Sequence, residues 1–139
     1  MIGWREIVSL PELGIGRFPA KIDTGARTTA LHAEDIHLEQ RAGAPWLIFR
    51  PPPAGHEAPR LCAAPMADRR AIRNTSGVPE DRWVIRTLLE IAGRRWRVDL
   101  ALSSRTDMTF EMIVGRGAIR GHRLLVDPRR SWLGGVAPG

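Results

Sequence analysis

The chain has 139 residues, about one domain's worth, and its 43% apolar and 26% charged content excludes wholesale disorder. No apolar run approaches the roughly 20 residues of a membrane-spanning helix, no secretory leader opens the sequence, and the single cysteine, Cys62, excludes an internal disulfide framework and suits a reducing cytoplasm. The net charge is +6, and 20 of the 21 basic residues are arginine with Lys21 the exception, which points either to acidic partners or to a coding bias towards arginine.

Short apolar stretches set between 14 Gly and 11 Pro predict a succession of strands. The first covers 4–10 and ends at Pro11. The second covers 16–22, with Phe18, Ala20 and Ile22 alternating towards one face. A hairpin is expected from 36–41 and 45–50 around Ala42-Gly43-Ala44. The Pro-rich stretch 51–67 then reads as a surface excursion, either a functional loop or an insertion. The clearest pair is 82–91 with 95–102, joined at Ala92-Gly93-Arg94. In it Trp96, Val98, Leu100 and Leu102 share one face, and Arg95, Arg97 and Asp99 the other. Further strands are expected at 110–114 and at 123–126, before Asp127-Pro128, with a short helix over 115–120 and a frayed tail over 134–139. Many short strands at this spacing predict a small all-β barrel or sandwich.

The residues most able to do chemistry follow the second strand, in Ile22-Asp23-Thr24-Gly25-Ala26. Alone, Asp-Thr-Gly is ordinary turn chemistry and arises by chance in about 3% of chains this long. Its setting is more telling. An apolar strand delivers the aspartate to a tight Gly turn, where backbone N–H groups can hold a carboxylate. About ninety residues later Met112-Ile113-Val114-Gly115-Arg116 repeats the pattern of an apolar run ending in Gly ahead of a short helix.

These two segments resemble the halves of the active-site ψ-loop of retropepsin-like aspartic proteases. In that family one half reads hydrophobic-Asp-Thr-Gly-Ala and the other hydrophobic-hydrophobic-Gly-Arg. Ala-Lys-Ile-Asp-Thr-Gly-Ala-Arg-Thr-Thr-Ala-Leu-His-Ala (20–33) is similar to the signature of a bacterial branch of the family, as are 69–77, 82–87 and 102–108. That branch carries the name "ATP-dependent zinc protease" and is associated with a glutamate-ligating ATP-grasp enzyme that modifies a ribosomal protein. The resemblance spans about 3–133. It implies an all-β, single-lobe, retropepsin-like closed barrel with one short helix, and a cytoplasmic aspartic peptidase without a cofactor.

Aspartic proteases place two carboxylates so close that they share one proton and titrate as a unit. The ionised member activates a water and the protonated member donates to the substrate carbonyl. This sequence holds one Asp-Thr-Gly, and Asp35, Asp107 and Asp127 lack the Gly turn. The resemblance therefore implies a C2 homodimer with Asp23 and its mate at the axis. It also implies that Thr24 locks the two loops together, that Gly25 admits the substrate backbone, and that Gly115 lets the second ψ-loop element pack on the Asp23 loop. Substrate binding is expected from Ala26, Arg27, Arg73, Ser76, Arg82 and Arg116.

Viral retropepsins carry an acidic residue where this chain has Arg27. Either Arg27 and Arg116 await an acidic substrate group or Asp107, or Arg27 points to solvent. The first option favours an acidic or polyglutamate peptide and a link to the ATP-grasp ligase. The expected flap is the hairpin of 73–77 and 82–89, whose tip is otherwise ordinary turn chemistry. His32, His37, His56 and His122 lack zinc-ligand spacing, and no phosphate-binding Gly-x-x-x-x-Gly-Lys loop is present. His32 reads as a hydrogen-bonded structural residue, Trp46, Trp83 and Trp96 as core, and Trp4 and Trp132 as interface candidates. Two other readings stand beside the peptidase: an inactive retropepsin-like peptide-binding module, and an arginine-rich barrel that binds nucleic acid. Scattered arginines and 6% aromatic residues weigh against the latter.

Overall fold

A computed structural model describes residues 1–52, 61–73, 79–104 and 110–135, with the side chains of 70–81 left out. It contains ten strands, one 3-10 turn (Pro11–Leu13) and one four-residue helix, α1 (Arg116–Ile119). The strands are β1 (Ile2–Leu10), β2 (Ile15–Asp23), β3 (Thr29–His32), β4 (Glu34–Arg41), β5 (Ala44–Arg50), β6 (Cys62–Arg73), β7 (Pro79–Ile91), β8 (Arg94–Ser103), β9 (Met112–Gly115) and β10 (Val126–Ser131). The sheet order is β10-β1-β2-β9-β3-β8-β7-β6-β5-β4, with an additional pairing of β1 to β7. That pairing, Val8↔Ile91 and Ser9↔Glu90, closes β1, β2, β9, β3, β8 and β7 into a six-stranded barrel. The all-β closed barrel with one short helix is as expected. No helix among the described residues is long and apolar enough to cross a membrane.

The barrel closes because each wall strand keeps a period of two. Val8 lies opposite Phe18 on β1 and β2, Ile85 opposite Leu100 on β7 and β8, and Leu31 opposite Leu102 on β3 and β8, all almost fully buried. The β4–β5 and β7–β8 loops have two residues each, with left-handed backbone at Ala42-Gly43 (φ 50° and 80°) and Ala92-Gly93 (φ 54° and 72°). Two positive φ angles match the right-handed strand twist, and glycine takes the second without steric cost.

Three expectations are corrected and one strand is new. The strand placed at 123–126 is instead β10, which runs through Pro128; it is an edge strand, where a missing N–H is tolerated. The excursion over 51–67 ends at Leu61, because β6 begins at Cys62 and buries Cys62 and Ala64 while Pro65 faces outward. The short strand β3 was not expected at all. The tail does not fray at Gly134, whose N–H donates to Glu6 Oε1 at 2.9 Å.

The tryptophans differ from a plain core reading too. Trp46, Trp83 and Trp96 are half-buried, and an arginine covers the ring of each. Arg5 serves both remaining tryptophans, at 4.3 Å from Trp4 and 5.1 Å from Trp132. Part of the arginine excess is therefore packing against indole faces.

Candidate active site

Three buried residues of β2, Phe18, Ala20 and Ile22, anchor the strand in the barrel and deliver Asp23 at its end. β9 runs parallel beside it, pairing Ile22↔Val114 and Asp23↔Gly115, so the two halves of the expected ψ-loop are neighbours. The turn after β2 is held from within. Ala26 N–H donates to the Asp23 carbonyl at 3.1 Å, and Gly25 N–H donates to Asp23 Oδ1 at 3.0 Å.

The start of α1 then clamps this turn. Arg116 N–H donates to Ala26 O at 2.8 Å, Gly117 N–H to Arg27 O at 3.2 Å, and the Arg116 guanidinium to Gly25 O at 3.0 Å. Gly115 N–H donates to the buried Thr29 Oγ1 at 3.1 Å. A side chain at Gly115 has no room, since a Cβ would stand 2.6 Å from the Thr28 carbonyl oxygen. Two backbone bonds, one backbone-to-hydroxyl bond and one guanidinium bond join the start of α1 to the segment after β2, which explains why Gly and Arg occur together at 115–116.

The Asp23 side chain remains about one-third exposed, with Lys21 Nζ 3.9 Å from Oδ2. One carboxylate oxygen thus takes a backbone N–H while the other faces a cation and solvent. Thr24 and Gly25 are exposed and Ala26 is half-buried. Arg27 is exposed, and its guanidinium makes no hydrogen bond or ion pair among the described residues. It borders a cleft of about 340 Å³ with Thr28, Arg86, Arg97, Asp99 and Gly117. In that cleft Arg86 is paired with Asp99 at 3.1 Å, and Arg97 is held bidentately by Glu12 at 2.8 and 3.1 Å. The Arg97 guanidinium keeps the Glu12 carboxyl below its usual range.

The other expected residues fall elsewhere. Arg73 ends β6 opposite Pro79, so β6 and β7 do form a hairpin, but Ser76 and Asp107 lie outside the described residues. Arg82 is not beside Asp23. Trp83↔Leu102 places it level with Ser103 and, through β3, with His32. That is three residues along β3 from Thr29, about 10 Å at strand spacing. His32 is only partly as expected: Nε2 lies 3.4 Å from Glu34 Oε1, while the buried Nδ1 has no partner among the described residues. His122 stacks on Trp96 at 4.4 Å, and among the described residues no three His, Cys, Asp or Glu side chains gather as metal ligands.

Sequence reasoning missed Lys21 and Thr29. Lys21 was legible, because positions two apart on a strand share a face and Lys21 is the chain's one lysine. Thr29 carried no such signal; its hydroxyl meets Gly115 N–H across 86 residues of sequence.

Among solved structures, the chain resembles the crystal structure of a protein of unknown function from Legionella pneumophila. The TM-score is 0.79 with 22% identity and 96% of both chains covered, which speaks for the fold. Among curated proteins it is 41% identical over 130 residues to a "Probable alpha-L-glutamate ligase" of Desulfotalea psychrophila and 35% identical over 134 residues to one of Shewanella pealeana. These alignments cover 92% and 95% of this chain but 28% and 29% of the relatives, so the chain spans less than a third of their length. The family described as "Retropepsin-like aspartic endopeptidase RimB" matches residues 1–134, and with its ψ-loop pairing and its barrel the chain belongs to that RimB-like family of aspartic peptidases.

Proposed function

We propose that the unit over 3–133 hydrolyses peptide bonds through an aspartate dyad formed by Asp23 of two copies in a C2 homodimer. The observation that carries this is the state of Asp23. It sits on a turn clamped by β9 and α1, yet among the described residues its carboxylate accepts one hydrogen bond, from Gly25 N–H, with Lys21 at 3.9 Å, leaving lone pairs for a water and for a mate. In the dimer one Asp23 is ionised and takes a proton from the attacking water. The other, protonated, donates to the carbonyl oxygen, and the roles return when the amine leaves with a proton. No covalent intermediate is needed.

The dimer face is proposed at the Asp23 end of the barrel. β1 runs antiparallel to β2 with Arg5 opposite Lys21, which brings the start of β1 level with Asp23. There Met1 is 65% and Leu125 69% exposed, joined through Ile2 N–H to Leu125 O, and Thr24, the residue after β2, is exposed as well. Apolar side chains of this size next to the axis suit burial against a second copy.

Acidic or glutamate-rich peptides are the proposed substrates. Arg27 is the cation of the neighbouring cleft without an acidic partner among the described residues, whereas Arg86 and Arg97 are already paired. That relatives named as glutamate ligases contain a segment like this chain supports a functional link to such a ligase. The paired and indole-stacked arginines give less support to nucleic-acid binding.

Asp23→Asn tests the reading. Cleavage of a glutamate-rich peptide is expected to fall about a thousandfold or more while the melting temperature stays near that of the parent. Full activity in the variant would show that the chemistry lies elsewhere.

A further inference from the structure

Three polar atoms that are buried and have no hydrogen-bond partner among the described residues, Arg82 Nε, Ser103 Oγ and His32 Nδ1, come from one row across the barrel wall. His32 on β3 is paired in register with Ser103 on β8, and Trp83↔Leu102 sets Arg82 on β7 level with Ser103. Paired residues on neighbouring strands point to the same face, and strands stand about 4.8 Å apart, so the three side chains rise side by side within about 10 Å. Ser103 is 4% exposed and the His32 side chain 13% exposed. A fourth such atom, Thr87 Oγ1, is on β7 opposite Val98, away from this row.

A lone orphaned polar atom is tolerated, but three adjacent ones are costly, since each loses its water without gaining a partner. The local carboxylate does not relieve them. Glu34 is engaged by the Arg50 guanidinium through one oxygen and by His32 Nε2 through the other. Arg82 makes no ion pair or hydrogen bond among the described residues. A guanidinium without a counter-charge among the described residues, a hydroxyl that can turn to any partner, and a ring nitrogen able to donate or accept form a receptor for an oxyanion.

We infer that Arg82, Ser103 and His32 form a carboxylate-binding site on the barrel wall, separate from Asp23. The ligand's oxygens take the Arg82 N–H and the Ser103 hydroxyl, and His32 Nδ1 closes the row. The carboxylate belongs either to a free small molecule or to an acidic side chain of a peptide.

The test uses the full chain carrying Asp23→Asn, labelled with ¹⁵N, so that its outcome is independent of whether Asp23 cleaves peptides. The probes are acetate, L-glutamate, a tetrapeptide containing glutamate, its glutamine counterpart, and inorganic phosphate. Saturable shifts of the His32, Arg82 and Ser103 amides are expected with the carboxylates, weakened about tenfold or more by Arg82→Gln. Tighter binding of the glutamate peptide than of free glutamate assigns the ligand to a peptide, and the reverse assigns it to a small molecule. Ser103→Ala is expected to weaken binding while leaving the unligated melting temperature equal or higher, because it removes an orphaned hydroxyl. Non-saturating shifts, shifts unchanged by Arg82→Gln, or response to phosphate alone would overturn the assignment. So would a clear fall in melting temperature for unligated Ser103→Ala, since the hydroxyl would then be serving the fold.

Discussion

Two carboxylates on this chain's first two strands, one at the middle of β1 and one at the end of β2, are treated in opposite ways. Glu6 on β1 is 1% exposed, and its oxygens accept N–H groups from Gly3 at 2.6 Å, Leu133 at 2.8 Å and Gly134 at 2.9 Å. Asp23 at the end of β2 is about one-third exposed and accepts a single backbone N–H. Burying a charge is tolerable when backbone donors surround it, and the result is a fixed structural joint. Glu6 sits where the edge of β1 passes from β10 to β7, and it ties the C-terminal segment across that junction. A carboxylate meant to exchange protons needs the opposite arrangement, with its position fixed by the backbone and its lone pairs left open. The comparison separates a group that holds the fold from one the fold holds.

Glu6→Ala breaks the structural side of this contrast. It leaves three backbone N–H groups without their acceptor, and a loss of about 2–4 kcal/mol is expected in denaturant unfolding. That is a large share of the roughly 5–15 kcal/mol of a domain this size. Asp23→Asn, by contrast, is expected to leave stability almost unchanged, so equal destabilisation by the two variants would erase the distinction.

Gly115→Ala joins the two sides. Its Cβ would lie 2.6 Å from Thr28 O and 2.9 Å from Ala26 O, and backbone atoms cannot swing aside. A stability loss of about 1–3 kcal/mol is expected, together with loss of cleavage, because the clamp on the Asp23 turn opens. A stable, fully active Gly115→Ala would mean that the clamp does not position Asp23.

Cys62 gives the smallest effect and a control for burial. Burial pushes its thiol from an ordinary value of 9.0 up to about 11, with Sγ 3.4 Å from Leu13 O. The thiolate is disfavoured in the folded state, so this contribution to stability is complete below pH 9 and is lost as pH rises towards about 11. Alkylation at pH 8 is expected to be slow in the native chain and fast after unfolding. Rapid native alkylation would contradict the packing of β6 against the 3-10 turn.

Much of the proposed catalytic turn was legible because its chemistry is local. Asp23, Thr24 and Gly25 specify a turn within three residues, and the apolar run ending at Gly115 specifies its partner. The β7–β8 hairpin was equally readable, since Val98, Leu100 and Leu102 alternate cleanly with Arg97 and Asp99. What stayed hidden depends on contacts far apart in sequence. Glu6 looks like any strand glutamate until Leu133 and Gly134 reach it. β3 is four residues long and shows no pattern beyond Leu31 between Ala30 and His32. β6 and β10 contain Pro65 and Pro128, which read as breaks although both strands accommodate them. The row of Arg82, Ser103 and His32 exists only through the register of three strands.

The central claim is that Asp23 works as half of a symmetric pair, and the most direct measurement is a crystal structure of the assembled protein. The expected result is a two-fold dimer joined near Met1, Thr24 and Leu125, with the two Asp23 carboxylates within hydrogen-bonding reach across the axis. A monomer that cleaves peptide in solution, or an active dimer with its two Asp23 side chains far apart, would contradict it.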